Sequence, residues 1–124
     1  INERIKLAKY YDKYLQDTNK YIKIKIPKNT VCAYYKYIIL LKKNVKNKIK
    51  KLMLKKYKIH LPGEVYDFMC HKQPVFEKYV SGYDFTVADM VLEKHISLPM
   101  YTDLTDEDIV FITDRIRRIT NSHY

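Results

Sequence analysis

Apolar side chains recur along this chain with two different periods, and the changes of period mark out its elements. Ile1, Ile5, Ala8, Tyr11 and Leu15 fall at helical spacing with Lys and Asp between them, which predicts an amphipathic helix ending near Asp17-Thr18-Asn19. Tyr21 to Ile26 then alternates with period two, as a strand with one wet face does; Lys23 and Lys25 point outward, and Pro27-Lys28-Asn29 closes the strand as a turn. Val31 to Leu41, rich in β-branched and aromatic residues, reads as a more central strand in which Tyr34, Tyr35 and Tyr37 are structural. From Asn44 to Tyr57 the helical period returns, with Val45, Ile49, Leu52 and Met53 on one face. Ile59 to Pro62 is a short extended segment that ends in a Pro62-Gly63 turn.

The pattern lapses from Glu64 to Asp84. Pro74, Gly82 and scattered Tyr and Phe predict a long ordered loop there, with one turn of helix near Phe76 to Tyr79. Thr86 stands where it can cap a helix running to Glu93 or Lys94, and Ile96-Ser97-Leu98 reads as a short buried strand stopped by Pro99. Thr105 then opens a final helix with Asp108 three residues on, close to a capping box, while Asp106, Glu107 and Asp108 complement the positive end of the helix dipole. Arg115, Arg117 and Arg118 suit the other end, and Ile109, Ile112, Ile116 and Ile119 form the inward stripe. This order of elements predicts an α/β (α+β) fold: a two-layer sandwich of a small, mostly antiparallel sheet with helices packed on one face. No repeat or second boundary interrupts it, so residues 1–124 read as one domain, long enough to bury one core.

Charge changes this picture little. The net charge is +10, with 20 Lys against four Arg, so the excess lies in flexible point charges rather than in the planar forks that clamp phosphates or read base edges. Lys43, Lys46, Lys48, Lys50, Lys51, Lys55, Lys56 and Lys58 crowd one neighbourhood without interleaved aromatics for base stacking, which makes nucleic acid an unlikely partner and a solvated helix face the plain reading. The other reading is a non-catalytic binding or regulatory module that meets an acidic partner through this basic helix face. No apolar stretch approaches the ~20 residues of a membrane span. Two unpatterned cysteines, Cys32 and Cys70, suit a reducing cytoplasm.

Most catalytic motifs are excluded. With Gly63 and Gly82 as the two glycines, no Gly-rich phosphate loop can form. His60, His71, His95 and His123 are dispersed without metal-ligand spacing, and no Cys/His cluster exists, so no metal is expected. The adjacent Asp106, Glu107 and Asp108 serve the helix terminus rather than acid/base work. His71 stands out, flanked in the long loop by Cys70, Gln73 and Pro74; Cys70 beside it has no evident acid partner to complete a Cys-His nucleophile.

Several segments, taken in order, carry a resemblance. Arg4, Ala8, Tyr11 and Leu15 open it, and Leu52, Ile59, Tyr66, His71, Gln73, Pro74, Val75 and Phe76 follow. Ala88 to Tyr101, with its Ser97-Leu98-Pro99-Met100-Tyr101 tail, and the Leu104-Thr105 helix start complete it. The set resembles the C-terminal small domain of the DegT/DnrJ/EryC1/StrS sugar aminotransferases, pyridoxal-phosphate (PLP) enzymes of fold type I. Two positions depart from the family pattern: Lys58 stands where Gly usually precedes Ile59, and Asp89 where Glu commonly follows Ala88. The resemblance implies a cytoplasmic homodimer that transfers an amino group, with glutamate the expected donor, to a keto group on a nucleotide-linked sugar in glycan biosynthesis. It also implies that the Schiff-base lysine and most phosphate contacts belong to a larger N-terminal domain outside this chain, which by itself would be inactive and bind no PLP. In this chain it points to His71 and Gln73 as hydrogen-bonding contacts to the sugar nucleotide and to Tyr66 as a residue shaping its pocket. No catalytic residue is expected here.

Overall fold

In the computed structural model, which describes residues 1–64 and 67–123, the chain runs through five α-helices and three strands. They are α1 (Asn2–Tyr14), β1 (Tyr21–Lys23), β2 (Tyr37–Leu41), α2 (Lys46–Tyr57), α3 (Glu77–Val80), α4 (Thr86–Lys94), β3 (His95–Leu98) and α5 (Asp106–His123). The strands form one antiparallel sheet in the order β1-β2-β3, with Tyr21 opposite Leu41, and Tyr37 opposite Leu98. Residues directly opposite share a face, so Tyr21, Tyr37, Ile39, Leu41, Ile96 and Leu98 lie together on one side of the sheet. All six are buried, in one cluster with Leu7, Ala8 and Tyr11 of α1, Ile49 and Met53 of α2, and the four isoleucines of α5.

α5 follows its sequence closely. Thr105 Oγ accepts the Asp108 backbone N–H at 3.1 Å, and Asp108 Oδ2 accepts both the Thr105 hydroxyl and its N–H, at 2.9 and 3.0 Å, closing a reciprocal cap. These two bonds from Thr105, backbone first, hold the exposed Asp108 carboxyl below its ordinary range. Ile109, Ile112, Ile116 and Ile119 are all buried, each worth about 1.5–3 kcal/mol of burial.

The strands are shorter than their sequence pattern. Period two persists through Ile26, yet the ladder ends at Lys23, and Ile24 and Ile26 are exposed. The expected second strand from Val31 joins the sheet at Tyr37; Asn29 (φ 64°) and Tyr34 (φ 45°) adopt left-handed backbone that an extended chain cannot contain. Tyr37 is structural as expected and Tyr34 packs partly on the core, but Tyr35 is 70 % exposed and takes no part in the core. α1 stops at Tyr14, short of Asp17: Leu15 is already extended, and the Thr18 hydroxyl turns the chain by accepting the N–H groups of Lys20 and Tyr21. Thr86 is the first residue of α4 and caps nothing; instead the Asp84 carboxylate accepts the Thr86 hydroxyl at 2.6 Å and its N–H at 2.9 Å.

Candidate functional site

The long loop is ordered by local turns. Two 3-10 turns, Cys70–Lys72 and Pro74–Phe76, run into the single turn of α3, with Pro74 fixing the entry to the second. Gly82 then reverses the chain at φ 82°, a conformation L side chains rarely adopt. This brings Phe85, and Asp89 in the first turn of α4, up against the first 3-10 turn.

His71 is held there on two sides. Its ring lies flat on Phe85, centroids 4.4 Å apart and planes 7° from parallel. Its Nε2 approaches Asp89 Oδ1 to 2.7 Å, off the line of a well-directed hydrogen bond, and both atoms are sealed from solvent with no other partner. Asp89 Oδ2 receives Lys72 Nζ at 3.2 Å, so one carboxylate ties two consecutive loop residues to α4. The acid partner that His71 lacked in the sequence is therefore Asp89, 18 residues away. Nothing short-range signalled it beyond the unusual acid at that position.

Gln73 is exposed and lines a shallow hollow of about 660 Å³ with Glu64, Asp67, Phe68, Met69, Lys72 and Pro74. His71 is not in that lining, so His71 and Gln73 are near neighbours in the chain but present to different surroundings; Lys72 joins the two. Tyr66, the third expected contact, lies outside the described residues. Cys70 is an exposed free thiol.

The lysines divide into spent and free. Lys46, expected on a solvated face, is buried: its Nζ donates to the Leu92 carbonyl at 3.0 Å and pairs with Asp67 at 3.1 Å, capping the C-terminal end of α4. Lys50 pairs with Glu64, which also meets His60 at 3.0 Å; the Glu64 carboxyl is held down to about 2, by its own backbone N–H first and then by Lys50. Lys48, Lys51, Lys55 and Lys58 stay in solvent. A Schiff-base lysine needs an amine free to react inside a cavity. The one buried lysine among the described residues, Lys46, is committed to two acceptors, and the rest are half-buried or exposed at the surface, several in ion pairs, so these residues do not fit the anchoring of PLP. No group of His, Cys, Asp or Glu that could hold a metal occurs among the described residues, and no helix there is long and apolar enough to cross a membrane.

The family model described as DegT/DnrJ/EryC1/StrS aminotransferase family matches residues 1–117. The uncharacterized protein MJ1066 of Methanocaldococcus jannaschii is 27% identical over 97% of this chain and 32% of its own length. Among solved structures, the aminotransferase TlmJ from Streptoalloteichus hindustanus superposes with a TM-score of 0.79 at 17% identity, covering 100% of this chain and 32% of that one. A DegT DnrJ EryC1 StrS aminotransferase from Brucella abortus also superposes at 0.79, with 21% identity, covering 96% of this chain and 31% of that one. The chain thus spans about a third of the length of the relatives it matches.

Proposed function

The chain belongs to the DegT/DnrJ/EryC1/StrS aminotransferase family, and from that premise we propose that it is the C-terminal small domain, residues 1–124, of a PLP-dependent sugar aminotransferase. The single observation that carries this reading is the family match over residues 1–117, taken with the short share of each relative that the chain spans. The reaction moves an amino group from glutamate to the keto group of a nucleotide-linked sugar in glycan biosynthesis, in a cytoplasmic homodimer. PLP supplies the carbon–nitrogen chemistry when bound, and the large domain that precedes this one in the full-length enzyme holds it. With no residue suited to anchor the cofactor among those described, the domain alone is inactive on this reading.

What this chain contributes is recognition. His71, Gln73 and Tyr66 face the sugar nucleotide. The support is chemical: His71 is a hydrogen-bonding side chain held in one orientation by Phe85 and Asp89, and Gln73 lies open to solvent at the rim of a hollow with Lys72. A fixed polar side chain contributes to binding without first being ordered. The unpaired thiols of Cys32 and Cys70 are consistent with a reducing compartment.

Borohydride treatment of the full-length gene product tests the cofactor assignment. A mass increase equal to a reduced pyridoxyl adduct on a lysine outside residues 1–124 is the expected result. A product with no adduct, combined with steeply salt-dependent binding to polyanions, would replace the enzyme by the basic-face module. The site assignment is tested by His71→Ala in the full-length enzyme, which should raise KM for the sugar substrate; unchanged kinetics would remove His71 from the site.

A further inference from the structure

Asp89 has no role in the recognition set just described, yet the loop is arranged around it. Its two carboxylate oxygens are divided between neighbouring residues, Oδ1 to His71 at 2.7 Å and Oδ2 to Lys72 at 3.2 Å. The carboxylate oxygen and the ring nitrogen that meet are both shut off from solvent and have no other partner. As they stand the two atoms form no well-directed hydrogen bond, but at 2.7 Å facing lone pairs would repel, and a proton carried on Nε2 relieves that contact toward a carboxylate, which can only accept. A half-turn of the ring would keep its stack on Phe85 but set Cε1 in place of Nε2 against the acid, so it is the contact with Asp89 that selects between the two ring orientations. Nδ1 forms no hydrogen bond to a described residue and is not among the sealed atoms.

We propose that Asp89 is the positioning residue of this site: it fixes the tautomer and the orientation of His71 through Nε2, so that His71 meets its ligand through Nδ1. The inference rests on the assignment of His71 to the sugar-nucleotide site. The backbone of Asp89 is itself fixed, its N–H bonded to the Phe85 carbonyl at 2.9 Å in the first turn of α4, so the residue that stacks on the ring and the residue that holds it belong to one helical turn. Second partners of this kind, holding one nitrogen of an imidazole so that the other can act, are worth large factors where they have been removed.

The test uses the full-length enzyme labelled with ¹⁵N-histidine, in wild-type form and as Asp89→Asn, Asp89→Glu, His71→Ala and the Asp89→Asn/His71→Ala double variant. The ring signals of His71 are those that vanish in His71→Ala. The expected wild-type pattern has Nε2 protonated. Asp89→Asn should redistribute the proton between the two nitrogens, and Asp89→Glu, which keeps the charge, should restore the wild-type pattern. Unchanged ring signals in Asp89→Asn overturn the proposal whatever the binding data show. Binding is read with dTDP-glucose or UDP-N-acetylglucosamine, whichever the wild-type enzyme takes up. Asp89→Asn should weaken it about tenfold, with no further loss in the double variant beyond that of His71→Ala. Losses that multiply in the double variant would make Asp89 an independent structural residue and sink the proposal. Unchanged binding in His71→Ala, with a shifted proton in Asp89→Asn, would instead remove His71 from the ligand site and leave the Asp89 coupling standing.

Discussion

The packed half of the molecule and the loop from Asp67 to Phe85 keep their shapes by opposite means. In the first, formed by α1, α2, α5 and the sheet, large apolar side chains vanish from solvent: Ile39, Leu98, Ile109 and Ile116 are 0 % exposed. In the second the apolar side chains face outward, with Phe68, Val75, Tyr79 and Tyr83 all more than half exposed. What orders the loop is polar: Asp89 across His71 and Lys72, Asp84 on Thr86, Lys46 on Asp67. Burial sets stability in one region, and directed contacts set side-chain geometry in the other, which is where a recognition site has use for them.

The sharpest way to break that contrast is a large truncation in the packed half. Ile116→Ala should cost about 4 kcal/mol in urea unfolding, because a fully buried isoleucine leaves a cavity as well as a lost transfer energy; a cost under 1 kcal/mol would mean the core is not what holds this half. Next in size, and opposite in sign, is Lys58→Gly. Lys58 ends α2 at φ 60°, ψ 24°, left-handed backbone that a side chain disfavours, so glycine there should add about 1 kcal/mol.

The third prediction reads pH. Burial first, then the charge of Lys46, pushes His95 below the ordinary histidine range, so the folded protein holds this ring neutral. The unfolded chain takes up its proton near pH 6.5. Stability should then be complete above that value and decline as pH falls from it toward the lower folded value. His95→Gln should flatten the decline that sets in below about pH 6.5; an unaltered slope would assign it elsewhere. The smallest effect is expected in the loop, where Val75→Ser should change unfolding free energy by less than about 0.5 kcal/mol, since the side chain is already in water. A loss above 1 kcal/mol there would show that the two regions are held in the same way.

These regions also differ in how far they could be read from the chain. The isoleucine stripe of α5 and the run Ala8-Tyr11-Leu15 at α1 were legible because helical period and burial are one signal, whereas Ile1, expected on that same face, is 67 % exposed and Leu7, outside the expected stripe, is buried. Alternation in Ile22, Ile24 and Ile26 reported a side-chain pattern but not a partner, and two of those residues have none. Lys46 was unreadable for another reason: lysine signals solvent, and its acceptors come from α4 and the loop. His71 and Gln73 could be singled out by their place in a loop without period and by the resemblance. Asp89 could not, since no local rule connects a loop histidine to a helix residue 18 positions on.

One bond of the packed half bears on how this chain is made. The Tyr11 hydroxyl donates to the Pro99 carbonyl at 2.8 Å, inside the protein, across 88 residues of sequence. A ribosome releasing this segment in order delivers the tyrosine long before its acceptor, and α5, which completes the same cluster, later still. Until then only earlier elements, such as Tyr37 of β2 stacked on Tyr11, can cover the apolar face of α1, and the part that meets α5 stays open to contacts with neighbouring chains while synthesis continues.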